Sequence, residues 1–193
     1  MRAIPALFAT LLIASAAAAD SAEWTVDASH SNVGFSVSHL VVSKVKGRFK
    51  EVTGKATLDE ADPTKSVVNV TIPVSSISTD DEKRDAHLKS ADFFDAANFP
   101  NIVFRSTKIA RAGEQKFKVA GELTIHGVTK AVTLDGKLSK PIKSPWGKDV
   151  RGVDISGKIN RSDYGLTWNK TLDGGGVVVG NEVTLDIAVE LNK

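Results

Sequence analysis

Residues 182–191 (EVTLDIAVEL) decide the fold, because apolar and polar side chains alternate along the whole segment. A period of two with many β-branched residues is typical of an antiparallel strand that buries one face. Residues 33–39, 68–74 and 117–125 alternate in the same way, so the chain contains several half-buried strands. The apolar face of the deciding segment consists of Val183, Leu185, Ile187, Val189 and Leu191.

Turn-forming clusters rich in Gly, Pro, Asp and Ser divide the chain into about eight strands. Several of these strands exceed the usual ~5–6 residues, and long strands favour a closed barrel over a small sandwich. Closure also gives every strand two neighbours and leaves no exposed edge. We therefore predict an all-β fold, an antiparallel β-barrel of about eight strands. The predicted strands are 23–39, 45–59, 65–74, 101–109, 116–125, 129–140, 150–161 and 182–192.

One segment departs from the strand pattern and predicts a short helix. Residues 79–82 (TDDE) match a capping box, in which the Thr79 and Glu82 side chains each accept a hydrogen bond from the backbone N–H of the other residue. The spacing that follows predicts a helix over residues 80–89. Three aromatic residues, Phe93, Phe94 and Phe99, come next. These rings either plug one end of the barrel or frame an apolar mouth.

The composition describes a small folded protein and excludes several kinds of chemistry. The 193 residues carry 25 Lys and Arg against 23 Asp and Glu, a formal charge of +2, so no nucleic-acid-binding patch is indicated. Because the chain has no cysteine, disulfides, thiolate metal sites and a cysteine nucleophile are excluded. No internal repeat or linker is evident, so we expect a single domain over residues 20–193.

Residues 1–19 have the features of a cleaved secretory signal peptide. Arg2 gives a positive start, residues 6–14 (ALFATLLIA) form an apolar run, and Ala17 and Ala19 fit the cleavage rule. A membrane anchor needs about 20 apolar residues, and this run is shorter. No later segment is long and uncharged enough to span a bilayer. We therefore expect an exported protein that does not span the membrane.

The sequence contains no motif that marks an active site. Nucleotide-binding loops, the GxSxG elbow and HExxH are all missing. The four histidines lack the spacing that places two metal ligands on one strand or helix face. On the predicted helix, Arg84 and His87 share a face and could converge on an anion. A solvated helix with a local pair between Arg84 and Asp85 explains the same residues equally well.

Several motifs, in order along the chain, resemble the YceI-like family. The first is 30–40 (HSNVGFSVSHL), followed by 47–49 (GRF) and 76–79 (SIST). The strongest is 84–94 (RDAHLKSADFF), and 121–130 (GELTIHGVTK) resembles the second signature of the family. Together these motifs lie within residues 23–191, so the resemblance covers nearly the whole chain.

The resemblance implies a periplasmic, lipocalin-like barrel with a short helix capping one end. It implies a binding protein without catalytic residues, cofactor or metal, which holds polyisoprenoids with a pyrophosphate or quinone head. By position, it implies contacts between the lipid head and His39, Arg84, Asp85 and His87. It also implies an apolar pocket lined by Phe35, Val37, Phe49, Val70, Ile72, Phe94, Phe104, Leu123 and Ile125.

The expected function is therefore to sequester a long-chain isoprenoid-type lipid, as a carrier, a buffer or a stress-protective protein. The partner is the lipid; no nucleic acid is expected, and a homodimer is compatible with the sequence. Two alternatives remain open. One is a metal-assisted hydrolase that uses His39 and His87 with a carboxylate. The other is a structural or stress protein whose barrel interior is filled by its own side chains.

Overall fold

The computed structural model describes residues 21–193, and the predicted signal peptide lies outside them. Among these residues, eleven strands join one sheet, and one short α-helix accompanies it. The elements are β1 (Ser21–His39), β2 (Ser43–Phe49), β3 (Thr53–Asp59), β4 (Val67–Pro73), β5 (Ile77–Ser78), α1 (Glu82–Lys89), β6 (Asn101–Arg111), β7 (Lys116–Ile125), β8 (Val128–Leu138), β9 (Ile142–Lys143), β10 (Asp149–Asn160) and β11 (Val179–Asn192).

The sheet closes on itself because the last strand pairs with the first. Antiparallel neighbours follow the order β1, β3, β4, β6, β7, β8, β10 and β11, and β11 then pairs with β1 from Thr25↔Asn192 to His39↔Val179. The alternation that marked the strands turns one side chain in two toward the barrel interior. The predicted eight-stranded antiparallel barrel with a short helix at one end is thus confirmed.

The predicted strand over residues 45–59 is wrong, because it is two strands. β2 pairs with the second half of β1, whereas β3 pairs with its first half, through Val33↔Phe49 and Thr25↔Lys55 respectively. Phe49 and Val52 are both buried although three residues apart, which breaks the period of two and marks the change of direction. β1 accommodates the two partners by a bulge between Asp27 and Asn32.

The predicted helix start needs a correction as well. The helix begins at Glu82, and its N-cap is Asp81, whose carboxylate accepts a hydrogen bond from the Arg84 backbone N–H. Thr79 does not cap the helix; its hydroxyl donates to Asp85 Oδ1 at 2.6 Å instead. Asp80, between Thr79 and Asp81, has a φ of 58°, so the chain turns before the helix begins.

The two ends of the barrel differ, and each is given a name. The helix end is formed by α1, residues 90–100, β5 and residues 161–178, beside the start of β6. The mouth end is formed by residues 60–66, the turn 112–115 between β6 and β7, and β9. The largest buried cluster, which includes Phe49, Ile77 and Tyr164, lies at the helix end. Within residues 21–193, no helix is long and apolar enough to cross a membrane.

Candidate functional site

The barrel encloses a cavity of about 480 Å³ that extends from the helix end to the mouth end. This volume is within the range of about 300–1,000 Å³ that small-molecule sites occupy. Apolar side chains from every barrel strand line its middle, which contradicts the alternative of a filled interior. An eight-stranded barrel is just wide enough to hold one small ligand when its inward side chains leave the axis free.

Phenyl rings from inward positions lie against glycines of the neighbouring strand. A Cβ atom added at Gly121 would come within 2.5 Å of the Phe104 ring, and one at Gly136 within 2.2 Å of the Phe117 ring. The rings therefore occupy the space that a side chain would take at each glycine, and they cover the wall of the barrel. This arrangement keeps bulky residues from filling the axis, and the alternating sequence pattern alone does not reveal it.

All nine residues predicted for the apolar pocket line the cavity. They come from β1, β2, β4, β6, β7 and the segment after α1. Several of them face inward yet remain only half-buried, because they border empty space and not other side chains. Their contact with a ligand stays a prediction. The nine are Phe35, Val37, Phe49, Val70, Ile72, Phe94, Phe104, Leu123 and Ile125.

Aromatic packing seals the helix end. Phe94 lies edge-on to Phe49, with ring centroids 6.1 Å apart, and Phe93 contacts Trp168 at 5.1 Å. Phe93 is buried, and it lines the closed end of the cavity with Leu88 and Phe94. The two interpretations of this cluster are therefore resolved in favour of the plug. Phe99, the third predicted member, packs against His126 outside the cavity.

A buried arginine was missed by the sequence analysis. Arg161 is 5% exposed and lines the cavity at the helix end. Its guanidinium donates to the carbonyl oxygens of Leu166, Gly180 and Val179 at 2.6, 2.9 and 3.3 Å. Burial lowers its pKa because desolvation penalises the charged form. Arg161 thus fixes the long connection between β10 and β11. Its position directly after an alternating strand is the sequence feature that could have identified it as a buried residue.

The mouth end is lined by charged residues. Arg151 is buried, donates to Glu60 Oε1 and to the Ser139 carbonyl at 2.8 and 3.0 Å, and lies over the Trp24 ring at 5.5 Å. The Arg111 guanidinium donates to the Glu60 carbonyl at 2.9 Å. Asp59 is buried as well, whereas the other charged residues of the rim are exposed, so this end is open. Charged residues that line the cavity here are Asp59, Glu60, Arg111, Glu114, Lys116, Lys140 and Arg151.

The predicted convergence of Arg84 and His87 on an anion is not found. Arg84 donates to the Thr79 hydroxyl and carbonyl at 2.7 and 2.8 Å, which fixes the turn before the helix. Asp85 accepts from Thr79, and His87 Nε2 lies 2.8 Å from a carboxylate oxygen of Asp92. Each of the three side chains thus makes a polar contact with another residue of the helix end.

None of the four predicted head-group residues lines the cavity. Arg84, Asp85 and His87 lie on α1, and His39 is half-buried at the end of β1, beside a register shift. The role of His39, Arg84, Asp85 and His87 in contacting a lipid head stays a prediction.

The hydrolase alternative requires a set of metal ligands around His39 and His87. In the described part of the chain, one group of three ligand-type side chains lies close together: Asp27, His30 and Glu190. Neither His39 nor His87 belongs to it, and His87 is packed edge-on between Phe93 and Trp168. This arrangement gives no support to a metal-assisted site at the two predicted histidines.

The Asp27 group holds the bulge of β1 against β11. Asp27 accepts hydrogen bonds from Ser29, His30 and Asn192, and these keep the pKa of its carboxyl well below the ordinary value. The hydrogen bond and charge of Asp27, with the charge of Glu190, raise the pKa of His30. These contacts join β1 to β11 and therefore stabilise the seam at which the barrel closes.

The fold and the cavity together define a closed antiparallel barrel with an apolar interior, sealed at one end and open at a charged mouth. Residues 24–191 match the model of the YceI-like domain. The chain is also 40% identical over 162 residues to Protein YceI of Salmonella agona (strain SL483), covering 83% of this chain and 84% of that protein. The chain belongs to the YceI-like domain family.

Two solved structures share the architecture. BcnA of Burkholderia cenocepacia superposes with a TM-score of 0.75 at 25% identity, covering 86% of this chain and 98% of that chain. A polyisoprenoid binding domain from Saccharophagus degradans superposes with a TM-score of 0.62 at 17% identity, over 87% and 97% of the two chains. The second likeness concerns the fold alone.

Proposed function

We propose that this chain binds a long-chain isoprenoid-type lipid, a polyprenyl pyrophosphate or a quinone-like molecule, with the tail inside the barrel. The observation that carries the proposal is the elongated apolar cavity of about 480 Å³ with one open end. Each CH₂ group that leaves water contributes about 0.8 kcal/mol. A polar ligand would lose its hydration without finding partners along this wall, so a hydrocarbon chain fits it better.

The charged mouth favours an anionic head group at that end. Lys116 and Lys140 line the rim, and within residues 21–193 no hydrogen-bond acceptor or carboxylate partner is found for either ammonium group. Arg111 and Arg151 add two guanidinium groups, both held by Glu60. Cations of this kind bind phosphate groups through charge-assisted hydrogen bonds. We therefore place the head at the mouth end, in contrast to the head-group set predicted from the sequence.

Two further points support a binding and carrier role. The polyisoprenoid binding domain from Saccharophagus degradans has the same fold. The features of residues 1–19 are typical of an exported protein, which agrees with a periplasmic carrier that handles lipid outside the cytoplasm. The proposed activity is sequestration and transfer, with no bond made or broken.

The test fills the cavity at one residue. Ile187, on β11, faces the interior of the barrel, whereas the adjacent Ala188 faces outward and is exposed. Ile187→Trp places an indole in the path of the tail, and Ala188→Trp is the matched control on the same strand. Binding of farnesyl pyrophosphate and of a longer polyprenyl pyrophosphate is measured by native mass spectrometry and by titration calorimetry.

We expect the unmodified protein and Ala188→Trp to bind, and Ile187→Trp to lose at least tenfold in affinity while unfolding at a similar urea concentration. Equal affinity in both variants would show that the tail lies elsewhere. Absence of binding by the unmodified protein, with no lipid extracted from protein purified from its own host, would overturn the proposed function.

A further inference from the structure

The hairpin that joins β9 to β10 carries the most exposed large apolar side chain at the mouth end. Trp146 is 86% exposed at its tip, and Ile142 is 66% exposed on β9. The other two tryptophans of the chain, Trp24 and Trp168, are buried and half-buried respectively. An indole that is 86% exposed is available for a different surface.

Local hydrogen bonds hold this hairpin in shape. The Ser144 N–H donates to the Lys148 carbonyl at 2.8 Å, and the Gly147 N–H donates to the Ser144 carbonyl at 3.0 Å. Gly147 has a φ of 83°, a conformation that L side chains rarely adopt, and its α-carbon faces open space. The turn therefore projects Trp146 away from the barrel instead of folding it onto the wall.

Basic residues flank the exposed indole in the sequence. Lys140, Lys143 and Lys148 lie on the same hairpin and are exposed. One of them, Lys143, pairs with Asp149 at 3.1 Å, so two of the three ammonium groups are without a counter-charge on the hairpin. Tryptophan favours the interface of a bilayer, and lysines beside it are attracted to anionic lipid head groups.

The hairpin is continuous with the cavity mouth. Lys140 lines the cavity, and Asp149 is bonded through its backbone to Lys193 at the rim, with Arg151 two residues further along β10. A surface that binds this hairpin would lie directly in front of the opening. A bilayer is therefore the occupant that fits best, because it offers both an interface for the indole and anionic charge for the lysines.

We propose that the β9–β10 hairpin docks the mouth end of the barrel onto an anionic membrane surface, with Trp146 inserted at the interface. The docking itself is independent of the ligand. Its purpose, the direct transfer of lipid between the bilayer and the cavity, rests on the proposed function. Insertion is shallow, since one indole and one isoleucine carry it, and binding weakens as salt screens the lysines.

The test compares the two exposed apolar tips of the molecule. Trp146→Ser removes the proposed anchor, and Lys148→Gln removes an ammonium group that has no counter-charge on the hairpin. Val42→Ser is the matched control, because Val42 is 85% exposed at the tip of the β1–β2 turn, at the helix end. Flotation is measured with vesicles of phosphatidylethanolamine and phosphatidylglycerol, and with vesicles of phosphatidylcholine alone.

We expect the unmodified protein and Val42→Ser to float with the anionic vesicles and to show a blue-shifted tryptophan emission on binding. Trp146→Ser lowers the partition coefficient about tenfold and abolishes the shift, because the other tryptophans stay within the barrel. Lys148→Gln lowers the partition coefficient about fivefold. Uptake of farnesyl pyrophosphate from solution is unchanged in Trp146→Ser, so loss of docking and loss of ligand binding are separable.

Three outcomes would overturn the proposal. Loss of flotation in Val42→Ser but not in Trp146→Ser would move docking to the helix end. Equal binding to phosphatidylcholine and to anionic vesicles would remove the role of the lysines. A dimer that dissociates in Trp146→Ser, without vesicle binding by the unmodified protein, would show that a second copy of the chain covers the hairpin.

Discussion

The helix end and the mouth end of this barrel differ in packing and in polarity: the first is closed by apolar side chains, and the second is open with a charged rim. At the helix end, eleven buried residues form one apolar cluster, and Phe93 and Phe94 close the cavity. Toward the mouth, the two other clusters contain three buried residues each, and charged side chains form the rim. The difference shows how a hollow barrel is stabilised. A core concentrated at one end, together with continuous strand pairing, leaves the other end free to open.

The largest effect on the free energy of unfolding should come from replacing a phenylalanine by alanine, and we compare one such replacement at each end of the barrel. Phe93 is 7% exposed and packed against His87 and Trp168, whereas Phe117 borders the cavity and is half-buried. Phe93→Ala should lower the free energy of unfolding by about 3–5 kcal/mol, the usual cost for a buried phenylalanine. Phe117→Ala should cost about half as much, since its ring already faces empty space. Urea unfolding measures both, and equal losses would contradict an uneven core.

A second prediction compares the buried arginine at each end. Arg161→Met leaves three carbonyl oxygens without their donor and should cost about 2–4 kcal/mol of unfolding free energy. Arg151→Met should cost about 1–2 kcal/mol, because its partner Glu60 is mostly exposed and regains water. Urea unfolding again provides the measurement, with Arg161→Lys as the charge-conserving control. A larger loss at Arg151 would show that the mouth, and not the connection to β11, is the better-packed region.

The strands, the barrel and the inward face could be predicted because they depend on a local period of two. That period placed residues such as Val70 and Leu123 on the cavity side. The contact of His39, Arg84, Asp85 and His87 with a lipid head stays a prediction, because it depends on where the ligand lies and not on a local period. Arg84 and Asp85 both turn to Thr79, and no local pattern distinguishes this from an outward-facing site.

The mouth was missed for a related reason. Lys116, Lys140 and Arg151 are distant in sequence and meet only because β7, β8 and β10 are neighbours in the closed sheet. Each residue by itself is an ordinary charged residue near a turn. The split of the predicted strand at Val52 has the same origin, since β1 has two successive partners along one edge. Pairing between distant strands, and not local preference, decides both features.

A third prediction determines which end binds the lipid head. Lys116→Gln removes a cation from the mouth rim, and Arg84→Gln removes one from the helix end. We expect Lys116→Gln to weaken binding of farnesyl pyrophosphate about fivefold, the loss of roughly 1 kcal/mol of charge-assisted contact, and Arg84→Gln to leave it unchanged. Calorimetry with farnesol as the neutral control separates head from tail. The reverse result would restore the head-group site predicted from the sequence.

The smallest effect on stability concerns the pairing of β1 with β11, where Asp27 and His30 make the stability depend on pH. The pKa of Asp27 is lowered in the folded protein, so its contribution to stability is present above its unfolded pKa near 3.8 and declines as the pH falls below it. The pKa of His30 is raised, so its contribution is present below about 6.5 and is lost as the pH rises through the folded value. The two contributions coexist between about pH 4 and 6.5.

The midpoint of urea unfolding should therefore be highest in this window and decline on both sides. In His30→Asn the decline above neutral pH should disappear, while the acid decline caused by Asp27 should remain. The group joins β1 to β11 through Asn192 and Glu190, and its members are exposed or half-buried, so the changes should be small. A profile in His30→Asn that still declines above neutral pH would assign the dependence to another group.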